Sequence, residues 1–227
     1  MAKIGKFCLS CSQCVRFICS VLSLLFVASC ATYGKYPEAG YGVASWYGPE
    51  FHGRPTSSGV TFNMYAFTCA HKEYPFGTKL KVTNVSNNKS IDCLVNDRGP
   101  FVPDRDLDLS YAAAKEIGLI GTGICKVRIE YMGRDMTYIK EVKYLSNAGP
   151  FTIQIGSFRE LSNASRLKKA LGFKYSGVYV TEAVIDGDRF YRVRVGKFQS
   201  KEEVLQLAKR LAREGYSVFV TRYDERI

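Results

Sequence analysis

The sequence lacks the signatures of several common protein classes. After residue 29 no cysteine or histidine spacing is typical of a metal centre, and no phosphate-binding loop or dinucleotide fingerprint is present. These absences argue against nucleotide-dependent and metal-dependent enzymes, so we predict no cofactor and no metal. The long apolar run Phe17 to Ala28 is too short to span a bilayer comfortably. Histidine occurs twice and tryptophan once, so each of these residues is informative.

Residues 1–29 are predicted to be a secretory signal peptide, in which basic residues precede the apolar run. The small residues Ala28 and Ser29 precede Cys30, which resembles a bacterial lipobox and makes Cys30 the acylated first residue of the mature chain. Each acyl methylene buried in a membrane contributes about 0.8 kcal/mol to retention. A membrane-retained signal anchor and an ordinary cleavage site are the alternatives.

Removal of the signal changes how the eight cysteines are interpreted. Four of them lie in the signal, and although three have the spacing of a metal knuckle, we assign them no metal. Lipidation of Cys30 leaves three thiols in an exported and oxidising compartment. One disulfide with one odd thiol, or buried free cysteines, are both consistent with the sequence, which does not select a pair. The three thiols are those of Cys69, Cys93 and Cys125.

The mature chain is strongly basic. Subtracting Lys3, Lys6 and Arg16 from the 32 basic residues leaves 29 against 21 acidic residues, a net charge of +8. A basic exported protein is expected to meet an anionic surface, such as lipid headgroups or a polyanionic envelope polymer. Nucleic acid is not an expected partner outside the cytoplasm.

The C-terminal region 149–227 contains an internal repeat with an offset of 40 residues. F-T-I-Q-I-G-S-F at 151–158 corresponds to Y-R-V-R-V-G-K-F at 191–198, and each half is typical of a strand, a helix and a second strand. Ser162 and Ser200 are predicted helix caps. The pattern predicts a four-stranded antiparallel sheet with two helices on one face and the other face open.

The open face of this sheet is a candidate binding surface. Gln154, Arg192 and Arg194 alternate with apolar residues and are predicted to point away from the helices, where they can bind a polymer through charge-assisted hydrogen bonds. A merely solvated face is the alternative. RNA binding by such a sheet is disfavoured because the strands lack the aromatic base-stacking signature. The strands Q-I-G-S-F and R-V-G-K-F resemble a SPOR domain, which implies binding to peptidoglycan glycan strands stripped of stem peptides at division septa, with division proteins as further partners.

The middle region 40–133 is rich in short predicted strands and turns, with one short helix that Ser110 caps and Gly118 ends. Short strands with a single helix predict a small β-barrel. Residues 30–39 are predicted to be a tether and residues 134–148 a linker, although the apolar residues of the linker also allow an extra strand.

Five motifs of the middle region carry a second resemblance: A-S-W-Y-G at 44–48, F-H-G at 51–53, T-C-A-H-K at 68–72, V-N-D-R-G-P-F at 95–101 and D-L-S-Y-A-A-A-K at 108–115. Together they resemble the six-stranded double-psi β-barrel of the rare lipoprotein A (RlpA) family. The resemblance implies a lytic transglycosylase that cleaves peptide-free glycan strands without water and leaves 1,6-anhydro ends. It also implies anchoring in the cell envelope, and Ala31 after Cys30 favours the outer membrane.

By this resemblance Asp97 is the catalytic acid and base, and His71 is a second catalytic residue. One such group suffices because the C6 hydroxyl of the sugar replaces water as the nucleophile. Taken alone, the Asp97 motif is also consistent with an ordinary turn, and His71 with packing. An aspartate with an ordinary pKa of about 3.9 needs partial desolvation to donate a proton. Arg98 would oppose this, so we expect it to point into the structure or to bind substrate.

The remaining substrate-binding candidates of the barrel are Trp46, Tyr47 and His52. The two aromatic residues can stack on sugar rings, with core packing of at least one as the alternative. The chain departs from the usual family pattern at Val60, which replaces a glutamate, and at Asn63, which replaces an aspartate. Val60 cannot ionise or accept a hydrogen bond, so the alternative function is an inactive, glycan-binding wall or septal scaffold.

Overall fold

The computed structural model describes residues 39–223. The predicted signal peptide, Cys30 and nearly all of the predicted tether lie outside the described residues, as do residues 224–227. From residue 39 to residue 223 no helix combines the length and apolar character needed to cross a membrane. Over the same range no group of three or more His, Cys, Asp or Glu side chains is arranged to hold a metal ion.

A closed six-stranded barrel forms the first half of the described chain and confirms the predicted fold. The strands are β1 (Ala39–Trp46), β2 (Thr68–His71), β3 (Thr78–Asn84), β4 (Ser90–Asp97), β5 (Leu107–Leu109) and β6 (Cys125–Arg134). Around the barrel they follow the order β1, β5, β2, β4, β3, β6, and β6 pairs again with β1. The pairs β1–β5 and β2–β4 are parallel, and the other four pairs are antiparallel.

Alternating side chains fill the barrel interior. In β3, Leu80 and Val82 are fully buried, whereas Lys79 before them is exposed and the intervening Lys81 is partly exposed. Burial of each such apolar side chain stabilises the fold by about 1.5–3 kcal/mol. The period of two therefore selects which face of each strand forms the core.

The one α-helix of the barrel region, α1 (Tyr111–Glu116), has the predicted ends. The Ser110 hydroxyl accepts a hydrogen bond from the Ala113 N–H at 3.2 Å and so caps the first turn. Gly118 follows with a φ of +72°, a left-handed conformation that glycine adopts without strain. Both predicted boundary residues are confirmed.

The second half of the described chain is a sheet with two helices packed on it. Its elements are β7 (Val142–Tyr144), β8 (Phe151–Phe158), α2 (Leu161–Gly172), β9 (Val178–Ile185), β10 (Asp188–Phe198), α3 (Lys201–Glu214) and β11 (Val218–Arg222). The strand order is β7, β11, β8, β10, β9, in which the last four strands are the predicted antiparallel sheet. The residues predicted to face the helices are all buried: Ile153, Ile155, Val193 and Val195.

The structure corrects two details of this half. The sheet has five strands and not four, because the segment 134–148, predicted to be a linker or an extra strand, contributes β7 parallel to β11. Ser162 is not a cap, because α2 begins at Leu161 with Glu160 before it. Ser200 does cap α3, since its hydroxyl accepts from the Glu203 N–H at 3.2 Å.

Candidate functional site

Asp97 ends β4 and is 5% exposed, with three donors around its carboxyl group. Oδ1 accepts from the backbone N–H groups of Ser57 and Arg98, both at 2.8 Å. Oδ2 accepts from the Tyr47 hydroxyl at 3.2 Å. The carboxyl oxygens act as acceptors in all three contacts. The barrel thus holds Asp97 in a single orientation.

Tyr47 follows β1 and belongs to this site through its hydroxyl group. Its ring packs against Phe51 and Phe62, with centroid distances of 5.7 and 4.9 Å. Burial, followed by the charges of Asp97 and Asp108, raises the pKa of Tyr47 well above its ordinary value. The phenol therefore keeps its proton and remains a donor to Asp97, and its ring is occupied by packing contacts.

The loop that supplies Ser57 also carries Val60. Pro55 and Thr61 form a bridge at the base of the loop, and the Val60 carbonyl accepts from the Thr56 N–H at 2.9 Å and from its hydroxyl at 2.8 Å. The Val60 side chain is 47% exposed. The position at which the RlpA resemblance leads us to expect a glutamate is therefore solvent-facing, on the same loop that contacts Asp97.

His71 ends β2, the strand that pairs with β4. Its Nδ1 accepts from the N–H groups of Glu73 and Tyr74 at 3.0 and 3.1 Å. Burial, together with the positive charge of Arg98, lowers its pKa from 6.5 to about 4. His71 is therefore neutral at pH 7 and carries its proton on Nε2. Among residues 39–223 no hydrogen bond joins His71 to Asp97.

Asp108 is a second acidic residue near Asp97 that the sequence analysis did not assign. Strand register places Ser45, Asp108, Ala70 and Asp97 side by side in one row across β1, β5, β2 and β4. Adjacent strands are about 4.8 Å apart, so the two aspartates lie about 10 Å apart at Cα with the small Ala70 between them. The alternation in D-L-D-L at 106–109 is the sequence signal that would have marked Asp108.

The surroundings of Asp108 favour its protonated form. The residue is 8% exposed, accepts a short hydrogen bond from the Ser45 hydroxyl and lies 3.6 Å from Arg105 Nη2. Burial raises its pKa, and the charge of Asp97 adds to this increase, while Ser45 and Arg105 oppose it. The row therefore contains two carboxyl groups in different environments, and the pKa of Asp108 is raised.

Arg98 does not reach toward solvent, which disfavours its predicted substrate contact. It is 6% exposed, and Nε donates to the Tyr216 hydroxyl at 2.9 Å while Nη1 donates to the Tyr74 carbonyl at 2.8 Å. Of the two expected arrangements, the one pointing into the structure is found. Among the described residues, no side-chain ion pair joins Arg98 to Asp97, and the remaining Nη2 atom of Arg98 is buried without a hydrogen-bond partner.

Trp46 and His52 belong to a row of aromatic rings. His52 contacts Tyr65, Tyr65 contacts Tyr111, and Tyr111 contacts Trp46, with centroid distances of 5.7, 6.5 and 5.9 Å. Tyr65 is 67% exposed and was not singled out in the sequence. None of these four rings hydrogen-bonds to Asp97. The sugar contacts of Trp46 and His52 stay predictions.

Three polar candidates on the C-terminal sheet lie on its helix-free face. Gln154 pairs with Arg194, which pairs with Tyr179, so that the three form one row. Gln154 and Arg192 are partly exposed, whereas Arg194 is 7% exposed and its Nε has no acceptor among the described residues. Tyr179 donates to the Thr152 hydroxyl at 2.9 Å and completes this polar patch.

Each half of the described chain matches a known protein family. The family described as lytic transglycolase matches residues 39–129, and the SPOR domain family matches residues 147–222. The endolytic peptidoglycan transglycosylase RlpA of Vibrio cholerae is 37% identical over 82% of this chain and 70% of its own length. The chain belongs to the RlpA family. The RlpA of Helicobacter pylori strain J99 is 38% identical over 74% of this chain.

The match to the Helicobacter pylori RlpA spans 60% of that relative's length. Among solved structures, the RlpA SPOR domain from Pseudomonas aeruginosa is 26% identical, covering 32% of this chain and 99% of that chain, with a TM-score of 0.29. Membership of the RlpA family therefore rests on sequence identity along both halves.

Proposed function

We propose that this protein is a lytic transglycosylase that cleaves peptidoglycan glycan strands lacking stem peptides and leaves 1,6-anhydro ends. The observation that carries the proposal is Asp97, a buried carboxylate oriented by Ser57, Arg98 and Tyr47 in a chain of the RlpA family. The relatives bear the name endolytic peptidoglycan transglycosylase, which agrees with this activity.

The proposed reaction moves one proton within the substrate. The C6 oxygen bonds to C1 of the same sugar, the bond from C1 to the bridging oxygen breaks, and the proton leaving the C6 hydroxyl balances the proton gained by the bridging oxygen. No water is consumed, so a single carboxyl group that accepts and returns a proton suffices. Asp97 takes this role, and its fixed position supplies the alignment that the attack requires.

His71 acts in this scheme as a neutral hydrogen-bond donor. Its Nδ1 is engaged by two backbone N–H groups, so the proton on Nε2 is the one it offers to a sugar oxygen. Since its pKa is lowered to about 4, it is not an imidazolium acid at neutral pH. The proton transfer in this scheme is therefore assigned to the carboxyl group of Asp97.

The C-terminal domain holds the glycan in this proposal. Arg194 offers a buried donor without an acceptor, and Gln154 and Arg192 extend the same polar face. Peptide-free glycan carries the lactyl carboxylates of its muramic acid residues, which suit arginine donors. Association with the cell wall in the envelope follows from this binding.

The finer location depends on Cys30. We propose that acylated Cys30 anchors the chain in the outer membrane, facing the periplasm, and that the C-terminal domain concentrates it at division septa near division proteins. Replacement of Cys30 by Ala is expected to release the protein from membranes into the soluble envelope fraction. Equal membrane retention of the variant would contradict the anchor.

The deciding experiment incubates the full chain with peptide-free glycan and identifies the products by mass spectrometry. Anhydro ends, lighter than hydrolysed ends by one water, are expected. Asp97→Asn keeps an oxygen that accepts from Ser57 and Arg98 but carries no ionisable group, so product formation falls by at least about 100-fold. Glycan binding and thermal stability of this variant serve as controls, and undiminished product would remove Asp97 from the mechanism.

The exposed Val60 supports one alternative, an inactive glycan-binding scaffold. In that case wild type and Asp97→Asn bind glycan equally and neither releases anhydro products. Val60→Glu restores the carboxylate that is usual at this position. Cleavage by Val60→Glu but not by wild type would establish the alternative.

A further inference from the structure

The segment that contains Asp97 makes a second set of contacts, with the C-terminal domain. All described residues belong to one compact unit. Arg98, next to Asp97, donates from Nε to the hydroxyl of Tyr216, a residue between α3 and β11. The Arg98 guanidinium carbon also lies 3.8 Å from the ring centroid of Phe76 and 5.3 Å from that of Tyr216. The residue beside the catalytic candidate is therefore held between the two domains.

The contact around Arg98 is closely packed. The rings of Phe76 and Tyr216 meet edge to face at 4.8 Å, and the Phe76 N–H donates to the Glu214 carbonyl at 3.0 Å. Gly215, with a φ of +100°, allows this approach, because a Cβ there would lie 3.0 Å from the Phe76 Cβ. The end of α3 is thus shaped to fit the barrel at the base of the Asp97 segment.

A second contact lies at the other end of the same segment. The Phe101 ring stacks on Phe173, which follows α2, with centroids 4.8 Å apart and planes 20° apart. Lys169 of α2 places its ammonium group 5.8 Å from the Phe101 centroid. Residues 98–101 therefore contact the C-terminal domain at both ends, immediately after Asp97.

We propose that Tyr216 is a positioning residue for the Asp97 site, and that the C-terminal domain forms part of the scaffold of that site. The link runs through one residue, because the Arg98 side chain bonds to Tyr216 while the Arg98 N–H donates to Asp97 Oδ1 at 2.8 Å. Loss of the tyrosine oxygen leaves a buried guanidinium donor without an acceptor, which favours movement of Arg98. This inference rests on the proposed function for its kinetic test.

The test compares Tyr216→Phe with Tyr175→Phe in the full chain. Tyr216→Phe keeps the ring against Phe76 but removes the acceptor of Arg98. Tyr175→Phe also removes a buried hydroxyl of this domain, one that donates to Glu214 at 2.7 Å, but leaves the Arg98 contact unchanged. With peptide-free glycan we expect kcat to fall about 10-fold in Tyr216→Phe with KM unchanged, and both constants to match wild type in Tyr175→Phe.

Amide hydrogen exchange supplies a readout that does not need activity. In Tyr216→Phe the peptide covering residues 95–101 is expected to exchange several-fold faster, without a change in the barrel strands away from it. If wild type gives no anhydro product, the proposed function fails while the exchange result still tests the positioning. The inference would be overturned if Tyr216→Phe had the same kinetics and the same exchange as wild type. It would also be overturned if Tyr216→Phe and Tyr175→Phe had equal effects.

A separate observation concerns two cysteines in the barrel. The sulfur atoms of Cys69 in β2 and Cys93 in β4 are 2.8 Å apart, and the residues are 0% and 3% exposed. Their strands are paired neighbours, with Thr68 opposite Leu94. Cys125 lies on β6 and is only partly buried. The geometry points to Cys69 and Cys93 as a disulfide pair in the exported protein.

The oxidation requires a partner of defined chemistry. The two thiols lose two protons and two electrons and form one sulfur–sulfur bond, while the disulfide of a thiol–disulfide exchange protein is reduced to two thiols. Burial, followed by the hydrogen bond with Cys93, raises the pKa of Cys69 well above its ordinary value. Few thiolates form once the barrel is closed, so the exchange takes place during folding.

Peptide mapping without reduction tests the pair. The exported chain is denatured in the presence of an alkylating reagent, and one cross-linked product containing Cys69 and Cys93 is expected, with Cys125 alkylated. Cys125→Ser is the matched control and should leave this cross-link unchanged. Alkylation of both Cys69 and Cys93, or a cross-link to Cys125, would contradict the assignment.

Discussion

Asp108 and His71, two residues near Asp97, differ in how burial changes their pKa. Asp97 is surrounded by donors, Asp108 is buried beside a hydroxyl group, and His71 is surrounded by backbone N–H groups and positive charge. Desolvation acts in opposite directions on the last two, because it disfavours the charged form of each: it raises the pKa of an acid and lowers that of a base. Asp108 and His71 therefore have opposite effects on the pH dependence of stability.

Asp108→Asn tests the raised pKa of Asp108. The folded state keeps the Asp108 proton at pH values where the unfolded chain has lost it, so wild type loses stability as pH rises above the ordinary value of 3.8. Asn still accepts from Ser45 but does not ionise. The variant is therefore expected to gain stability relative to wild type between about pH 4 and pH 7. Urea unfolding at both pH values measures the difference, and a constant difference would contradict the prediction.

His71→Gln tests the opposite shift. Below pH 6.5 the unfolded chain binds a proton at this histidine, while the folded state stays neutral until pH falls to about 4. Wild type therefore loses stability across this window as pH falls, and His71→Gln loses less. Thermal unfolding across the window measures the change, with His52→Gln, at an exposed histidine, as the comparison. The same pH dependence in His71→Gln and wild type would refute the shift.

At the scale of secondary-structure elements, the two halves of the C-terminal repeat are not equivalent. Helix α3 has a serine cap and ends at Gly215 in a left-handed conformation, whereas α2 has no side-chain cap. Since α3 also presents Gly215 and Tyr216 to the barrel, its ends are defined by local hydrogen bonds and by packing. The aligned sequences of the repeat did not reveal this difference, because both helices have a serine near their start.

Ser200→Ala and Ser162→Ala measure the difference between the helices. Removal of the Ser200 cap leaves the Glu203 N–H without its side-chain acceptor and is expected to lower the free energy of unfolding by about 1 kcal/mol. Ser162→Ala, inside α2, is expected to have a much smaller effect. Chemical denaturation of the two variants side by side provides the test, and equal losses would show that the cap is not important.

At the scale of the whole molecule, the dominant property is positive charge. The given sequence carries a net charge of +11, or +8 without the three basic residues of the predicted signal peptide, and the proposed ligand is a polymer of carboxylates. Opposite charges attract at distances up to the screening length, which shortens from about 10 Å at 0.1 M salt to about 3 Å at 1 M. Charge therefore contributes to capture of the glycan before any specific contact forms.

Glycan affinity is accordingly expected to fall as salt rises. Titration of peptide-free glycan at several salt concentrations measures the slope. Arg192→Gln, which removes one charge from the helix-free face, should weaken binding at low salt and flatten the slope. Asp97→Asn is the comparison, because it leaves that face unchanged and should keep the wild-type slope within error. Salt-independent binding would indicate that charge has no part in capture.

Much of the fold could be predicted because short sequence patterns determine its strands and helices. Alternation of apolar and polar residues marked the strands, the repeat marked the C-terminal domain, and Ser110, Gly118 and Ser200 marked helix ends. Asp97 could be proposed as a site residue because its motif is continuous and resembles that of the RlpA family. Ser162 was the exception, because a serine near a helix start does not by itself decide which residue is the cap.

Tertiary structure alone decided which distant residues meet. Strand order placed Asp108 and Asp97 in one row, β7 extended the sheet, and the closed barrel brought the sulfur atoms of Cys69 and Cys93 together. The bond from Arg98 to Tyr216 joins residues 118 positions apart. Such contacts depend on strand register and domain packing, which local periodicity does not encode. The sequence by itself therefore determined the helices and strands, and the tertiary structure determined which side chains are in contact.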